Sequence, residues 1–114
     1  MCNRSTLDIL LKEAYTGLKE IFGEKLESVI LYGSYARGDY DSESDIDVMA
    51  LVNLEKSDLA RYRRTVSDLA NDIDLKYDVL LSVKLQDKFT FEKYSTALPY
   101  YANVIKEGIY IGVQ

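Results

Sequence analysis

The sequence has 114 residues, 47% of them hydrophobic, with 19 acidic residues against 14 basic ones and a formal net charge of −5. This length predicts one domain, residues 1–114, and the acidic balance disfavours direct binding of nucleic acid through its phosphates. Histidine is absent and Cys2 is the only cysteine, which excludes a zinc site of the usual Cys/His type and histidine acid–base catalysis. No apolar run is long enough for a signal peptide or a membrane span, so we expect a cytoplasmic protein.

The first half of the chain predicts a helix followed by two strands. Apolar residues recur at helical spacing over residues 5–22. A β-branched and aliphatic run at 26–32 predicts a strand, and the Gly-, Ser- and Asp-rich residues 33–43 predict a loop with at most one helical turn. Residues 45–52 predict a second strand, which we expect inside the sheet because it is continuously apolar after its third residue.

The second half predicts two further strands separated by helices. An apolar stripe predicts a helix over residues 57–73, and residues 77–85 predict a third strand. Short helices are predicted at 87–94 and from Pro99 to a stop at Gly108, before a closing edge strand at 109–113. This order predicts an α/β fold in which a small mixed sheet is covered by helices.

The first strand leads directly into Gly33-Ser34 and a turn of predicted helix that ends at Gly38. Gly33 lacks a Cβ atom, which permits a sharp bend and the close approach of a ligand to the backbone. Ser34 can begin the helical turn, whose N–H groups favour an anion. The pattern is typical of a phosphate-binding turn, and a plain strand-to-helix connection is the alternative.

Asp45 and Asp47 lie two residues apart at the start of the second strand. Their side chains therefore point to the same face, with Cα atoms about 6.5 Å apart. Two carboxylates this close repel each other, and a bound divalent cation removes that penalty. Oxygen ligands favour Mg²⁺ or Mn²⁺. The pair predicts a metal site, and two solvated aspartates at an exposed strand end are the alternative.

A third carboxylate would complete a two-metal site, and two aspartates compete for this role. Asp78 is a charge within the apolar run of the predicted third strand. If that strand pairs beside the second one, Asp78 faces the same cleft as Asp45 and Asp47. Asp74 falls near the end of the preceding helix, where a solvated position is more natural. The sequence therefore favours Asp78.

Gly33-Ser34, ten intervening residues and Asp45-x-Asp47 resemble the signature of the DNA polymerase beta-type nucleotidyltransferase superfamily. The short length, the GSYARG segment and residues 99–103 with Glu107-Gly108 resemble its minimal members, the MNT proteins. These proteins are often the antitoxin half of HEPN/MNT toxin–antitoxin pairs. The resemblance covers most of the chain and implies a polymerase beta-like nucleotidyltransferase fold.

The resemblance also implies a role for each residue of the motif. Gly33 and Ser34 would bind the triphosphate of ATP, while Asp45 and Asp47 would bind two Mg²⁺ ions. Asp78 would hold the ion that activates the acceptor hydroxyl. The implied reaction transfers AMP from ATP to a hydroxyl, with a tyrosine of a cognate HEPN toxin as the expected acceptor.

Two other functions remain open at this point. A non-catalytic antitoxin would neutralise its partner by occlusion alone. A carboxylate-metal nuclease would share the acidic cluster, but it does not need Gly33-Ser34, and the net charge disfavours it. The role of Arg37 also stays open, between a phosphate contact and a structural pair with Asp39 or Asp41.

Overall fold

The computed structural model describes residues 3–41 and 43–113, so that Met1, Ser42, Gln114 and the lone Cys2 lie outside the described residues. In chain order the elements are α1 (Arg4–Phe22), β1 (Leu26–Tyr32), α2 (Ser34–Arg37), β2 (Ile46–Val52), α3 (Lys56–Leu59), α4 (Arg63–Tyr77), β3 (Leu81–Asp87), α5 (Lys88–Tyr94), α6 (Pro99–Glu107) and β4 (Ile109–Val113). Short 3₁₀ turns precede β1 and α4.

The strands form one mixed sheet in the order β3-β2-β1-β4. β1 runs antiparallel to both of its neighbours, whereas β2 and β3 are parallel. β2 is buried at nearly every position because it is an inner strand covered on both faces. The predicted α/β class, with a mixed sheet and an interior second strand, is confirmed.

Helices cover the two faces of the sheet unequally. The larger core joins α1 and α4 to one face, where Leu10, Leu18 and Ile73 pack with Ile46. On the other face, Phe91 of α5 and Val104 of α6 pack against Ile30 and Met49. Within the described residues, no helix combines the length and apolar content needed to cross a bilayer. The smaller layer matters most for function, because α6 lies over the face that carries Asp47.

The predicted boundaries of α4 and β3 are wrong by about one helical turn. α4 continues to Tyr77, and β3 begins only at Leu81. Asp78 ends the helix in the left-handed conformation, with φ 54°. Tyr77 packs against the larger core and its hydroxyl donates to the Glu13 carboxylate of α1. This contact between helices keeps residues 74–77 helical although their local sequence also suits a strand.

Candidate active site

Gly33 makes the turn between β1 and α2 in a backbone conformation that favours glycine. Its φ is 76° and its ψ is −155°. A Cβ atom built at this position would lie 2.5 Å from Oδ2 of Asp47. The turn thus brings the backbone directly against a carboxylate of β2. Ser34 begins α2, so the two predicted halves of the motif, phosphate turn and aspartate pair, meet here.

Asp47 is the second residue of β2, and Asp45 directly precedes the strand, which begins one residue later than predicted. Ile46 between them is buried in the larger core, which places Asp47 on the opposite face. Asp45 is exposed and Asp47 is half-buried. The pKa of Asp47 is raised, first by burial and then by the negative charge of Asp45, while the positive charge of Arg37 opposes the shift. The pair therefore carries an electrostatic penalty that a cation would relieve.

A cavity of about 510 Å³ lies between Asp47 and α6, and Asp45 is not among the residues that line it. Gly33, Ser34 and Asp47 line one side of it, and Asn103 and Glu107 line the other. Asn103 and Glu107 fall within the segments that resemble the MNT proteins, but their spacing alone does not place them at the site. α6 meets the motif only through the packing of the smaller core.

Tyr32 and Tyr100 also line the cavity. Tyr32 lies opposite Asp47 in the β1–β2 register, and the hydroxyl of Tyr100 donates to that of Tyr32 over 3.0 Å. The pKa of Tyr32 is raised, mainly by burial and then by the bond to Tyr100, with a smaller contribution from the charge of Asp47. The Lys84 ammonium sits 4.3 Å from the centre of the Tyr100 ring. These contacts hold the α6 wall of the cavity in place.

Arg37 joins the motif to α6. Its guanidinium lies 3.2 Å from the carboxylate of Asp39 and 3.3 Å from that of Glu107. Of the alternatives left open for Arg37, the structural pair with Asp39 is present, and Glu107 is a second partner that the sequence did not indicate. Because water screens exposed charges, these pairs add little to stability. Arg37 also lines the cavity, where its charge remains within reach of an anion.

The predicted place of Asp78 on β3 is wrong. The β2–β3 register puts Ser82, rather than an aspartate, beside Asp47. Asp78 lies at the end of α4, before the strand begins, because the helix is longer than predicted. Asp74 is occupied elsewhere, since its carboxylate accepts a hydrogen bond of 2.7 Å from the Leu81 amide.

Asp45 and Asp47 fit a divalent cation. Across residues 3–41 and 43–113, no group of three acidic, cysteine or histidine side chains is arranged to hold a metal ion. Asp45 and Asp47 supply two carboxylates near enough for the charge of Asp45 to raise the pKa of Asp47, and oxygen ligands suit Mg²⁺. The predicted second Mg²⁺ would need ligands that the nucleotide or an acceptor brings to the site.

Comparisons with known proteins agree with this geometry. A family model described as the nucleotidyltransferase domain matches residues 11–110. Two relatives from Methanocaldococcus jannaschii carry the name "Putative protein adenylyltransferase". One is 42% identical over 73 residues, covering 64% of this chain and 72% of the relative. The other is 33% identical over 98 residues, covering 86% of this chain and 90% of the relative.

Solved structures share the fold at lower sequence identity. A crystal structure of a "putative nucleotidyltransferase" from Sulfolobus solfataricus has a TM-score of 0.60 and 22% identity, covering 94% of this chain and 84% of that one. A crystal structure of a toxin–antitoxin with AMP-PNP has a TM-score of 0.55 and 21% identity, and the match covers 90% of this chain and 73% of that one. At this identity the likeness concerns the fold alone.

Proposed function

The chain belongs to the nucleotidyltransferase domain family, and on this premise we propose that it transfers AMP from ATP to a hydroxyl of an acceptor protein. The acceptor is a tyrosine of a cognate HEPN toxin, which makes the chain an antitoxin. The names of its relatives and the toxin–antitoxin fold neighbour support the proposal. A single domain over residues 1–114 and a cytoplasmic location belong to the same proposal.

The observation that carries this function is the contact between the Gly33 turn and Asp47. A Cβ at Gly33 would stand 2.5 Å from the carboxylate, so the turn and the acidic pair act on one bound group. A nucleoside triphosphate needs a site of this kind, because its phosphates require hydrogen-bond donors on one side and a cation on the other. Gly33 is thus required twice, by the positive φ of the turn and by the lack of room for a Cβ beside Asp47.

The chain's own residues divide the work around the phosphates. Ser34 offers its hydroxyl and amide to phosphate oxygens, and Arg37 adds a positive charge. Asp45 and Asp47 would hold a divalent cation, which neutralises the triphosphate and polarises the reacting oxygens. The acceptor hydroxyl loses its proton to water as its oxygen bonds to the α-phosphorus, the bond from the α-phosphorus to the oxygen that bridges to the β-phosphate breaks, and pyrophosphate leaves.

The test uses ATP labelled either at the α-phosphate or at the γ-phosphate, with Mg²⁺ and a HEPN-type protein encoded next to this chain. We expect α-label on the partner, release of pyrophosphate, and a mass increase of one or more AMP units on a tyrosine. Ser34→Ala should slow labelling without preventing association of the two proteins. Label that arrives only from the γ-phosphate would mean kinase chemistry and would exclude the proposal.

One observation favours a second candidate, an antitoxin that acts by occlusion. Ser82 stands beside Asp47 where a third carboxylate was expected. An incomplete acidic cluster suits a protein that binds its partner without modifying it. The two candidates differ in one measurement, because a chain with both Asp45→Asn and Asp47→Asn would still neutralise the toxin by occlusion but not by adenylylation.

A further inference from the structure

β3 is an edge strand whose outer side offers backbone groups for pairing. The Ile46 amide donates to the Leu80 carbonyl over 2.8 Å. Because backbone direction alternates along a strand, the amides and carbonyls of residues 82, 84 and 86 also point toward β2. The amides and carbonyls of Val83 and Leu85 therefore point away from the sheet. In the part of the chain that the structure describes, they have no hydrogen-bond partner on that side. An unprotected edge of this kind accepts another strand.

A groove follows this edge along its whole length. Its volume is about 670 Å³, and all seven residues of β3 line it, together with residues from α3 and α4. We call it the β3-edge groove. The size lies in the range of sites that enclose a ligand rather than of shallow surface features.

The β3-edge groove is positively charged although the chain as a whole is acidic. Lys56, Arg63 and Lys84 line it, and none of them belongs to an ion pair among residues 3–41 and 43–113, although the Lys84 ammonium also contacts the Tyr100 ring. Asp87 also lines the groove, but its carboxylate caps α5 by accepting from the Thr90 amide over 2.8 Å. The groove therefore complements an acidic ligand.

The same groove adjoins the candidate active site. Ser82 lines the groove and lies beside Asp47 in the sheet. A strand added to β3 would lie two strand spacings, about 10 Å, from the backbone of Asp47. The residue that such a strand places next to Ser82 would face the same side of the sheet as Asp47. A tyrosine at that position would extend toward the bound nucleotide.

We propose that the β3-edge groove is the docking site for the acceptor protein, and that it binds an extended acidic segment as a fifth strand of the sheet. Hydrogen bonds to Val83 and Leu85 provide affinity, and the three cations select an acidic sequence. This inference rests on the proposed function, because it specifies how that reaction obtains its acceptor.

The experiment uses a random Glu–Tyr copolymer as the acidic acceptor and a Lys–Tyr copolymer as its basic counterpart. With Mg²⁺ and α-labelled ATP, the acidic copolymer should be labelled and the basic one should not. Lys56→Glu with Arg63→Glu should raise the KM for the acidic copolymer about tenfold, because two contacts become repulsive, and leave kcat unchanged. Lys12→Glu with Arg64→Glu is the matched control, since these exposed residues lie outside the groove and change the net charge equally.

Hydrogen exchange gives an independent measure of strand addition. The amides of Val83 and Leu85 should exchange more slowly when the acidic copolymer is bound, and less so in the groove variant. Equal KM values for the groove and control variants, or unprotected edge amides, would overturn the docking proposal. If the copolymer binds and protects these amides but no α-label is transferred to it or to any partner, docking stands and the adenylyl transfer fails.

Discussion

Gly33→Ala tests the contact on which the active-site proposal depends. The φ of 76° and ψ of −155° lie in a region that is open in practice only to glycine, so any side chain costs about 1–3 kcal/mol. In a domain of this size, that cost lowers the melting temperature by about 4 °C for each kcal/mol. The variant should therefore fold, with a melting temperature reduced by several degrees.

The second effect of Gly33→Ala falls on the carboxylate of Asp47. The new Cβ would lie 2.5 Å from Oδ2, whereas ordinary contacts begin at 3.4 Å, so the carboxylate must move by 3.4 − 2.5 = 0.9 Å. The carboxylate of Asp47 can rotate about its side-chain bonds, so it moves more easily than the backbone. A displacement near 1 Å in a catalytic group costs about 10²-fold in rate. We expect AMP transfer to fall about 100-fold while the fold persists.

Gly38→Ala is the matched control, since it separates backbone strain from the contact with Asp47. Gly38 also has a positive φ, 87°, but a Cβ there would meet nothing within 4 Å. Thermal melts should show a loss of stability for both variants, and labelling from α-labelled ATP should fall only for Gly33→Ala. If both variants are folded at the assay temperature and transfer AMP equally well, the assignment of Gly33 and Asp47 to one site is refuted.

Four further variants test single features of the structure. Asp45→Asn with Asp47→Asn should remove the Mg²⁺-dependent part of ATP binding in calorimetry. If Mg²⁺ strengthens ATP binding equally in this variant and in the unmodified chain, the metal site is excluded. Asp78→Asn should leave AMP transfer nearly intact because the residue lies outside β3, whereas loss of transfer would support the original assignment of a third carboxylate. Asp74→Ala should lower the free energy of unfolding in urea by about 1–3 kcal/mol, because a strand amide loses its acceptor; equal stability would mean that water replaces the carboxylate. Glu13→Gln should destabilise the chain above the ordinary glutamate pKa of 4.5, because a lysine and a tyrosine lower the pKa of Glu13 in the folded state, and the effect should vanish as pH falls below that lowered pKa. A difference in melting temperature that persisted in acid would contradict this cause.

Much of the fold could be predicted from local pattern alone. The strand over Leu26–Tyr32 has the predicted bounds, and the helix that begins at Pro99 ends at Glu107, before Gly108 as expected. These elements were predictable because apolar spacing and the residues that stop a helix lie within the segment itself. The helix expected over 57–73 is instead divided by a 3₁₀ turn at Ala60–Tyr62, for which no local signal was recognised.

The sequence by itself determined the centre of the candidate site. Gly33 and Ser34 follow a strand directly, and Asp47 faces away from the buried Ile46 because side chains alternate along any strand. Such relations need only chain connectivity and backbone geometry, so a fixed spacing in the sequence becomes a fixed arrangement in space. The structure confirms that the turn and Asp47 meet.

Only the tertiary structure decided what surrounds that centre. Asp78 was assigned to the strand on local composition, but the contact between Tyr77 and Glu13 of α1 extends the helix and leaves Ser82 beside Asp47. The α6 wall of the cavity likewise depends on packing against the sheet. In both cases the outcome depends on contacts between residues more than 50 positions apart in the chain, and no pattern within a single segment records which distant side chain it will meet.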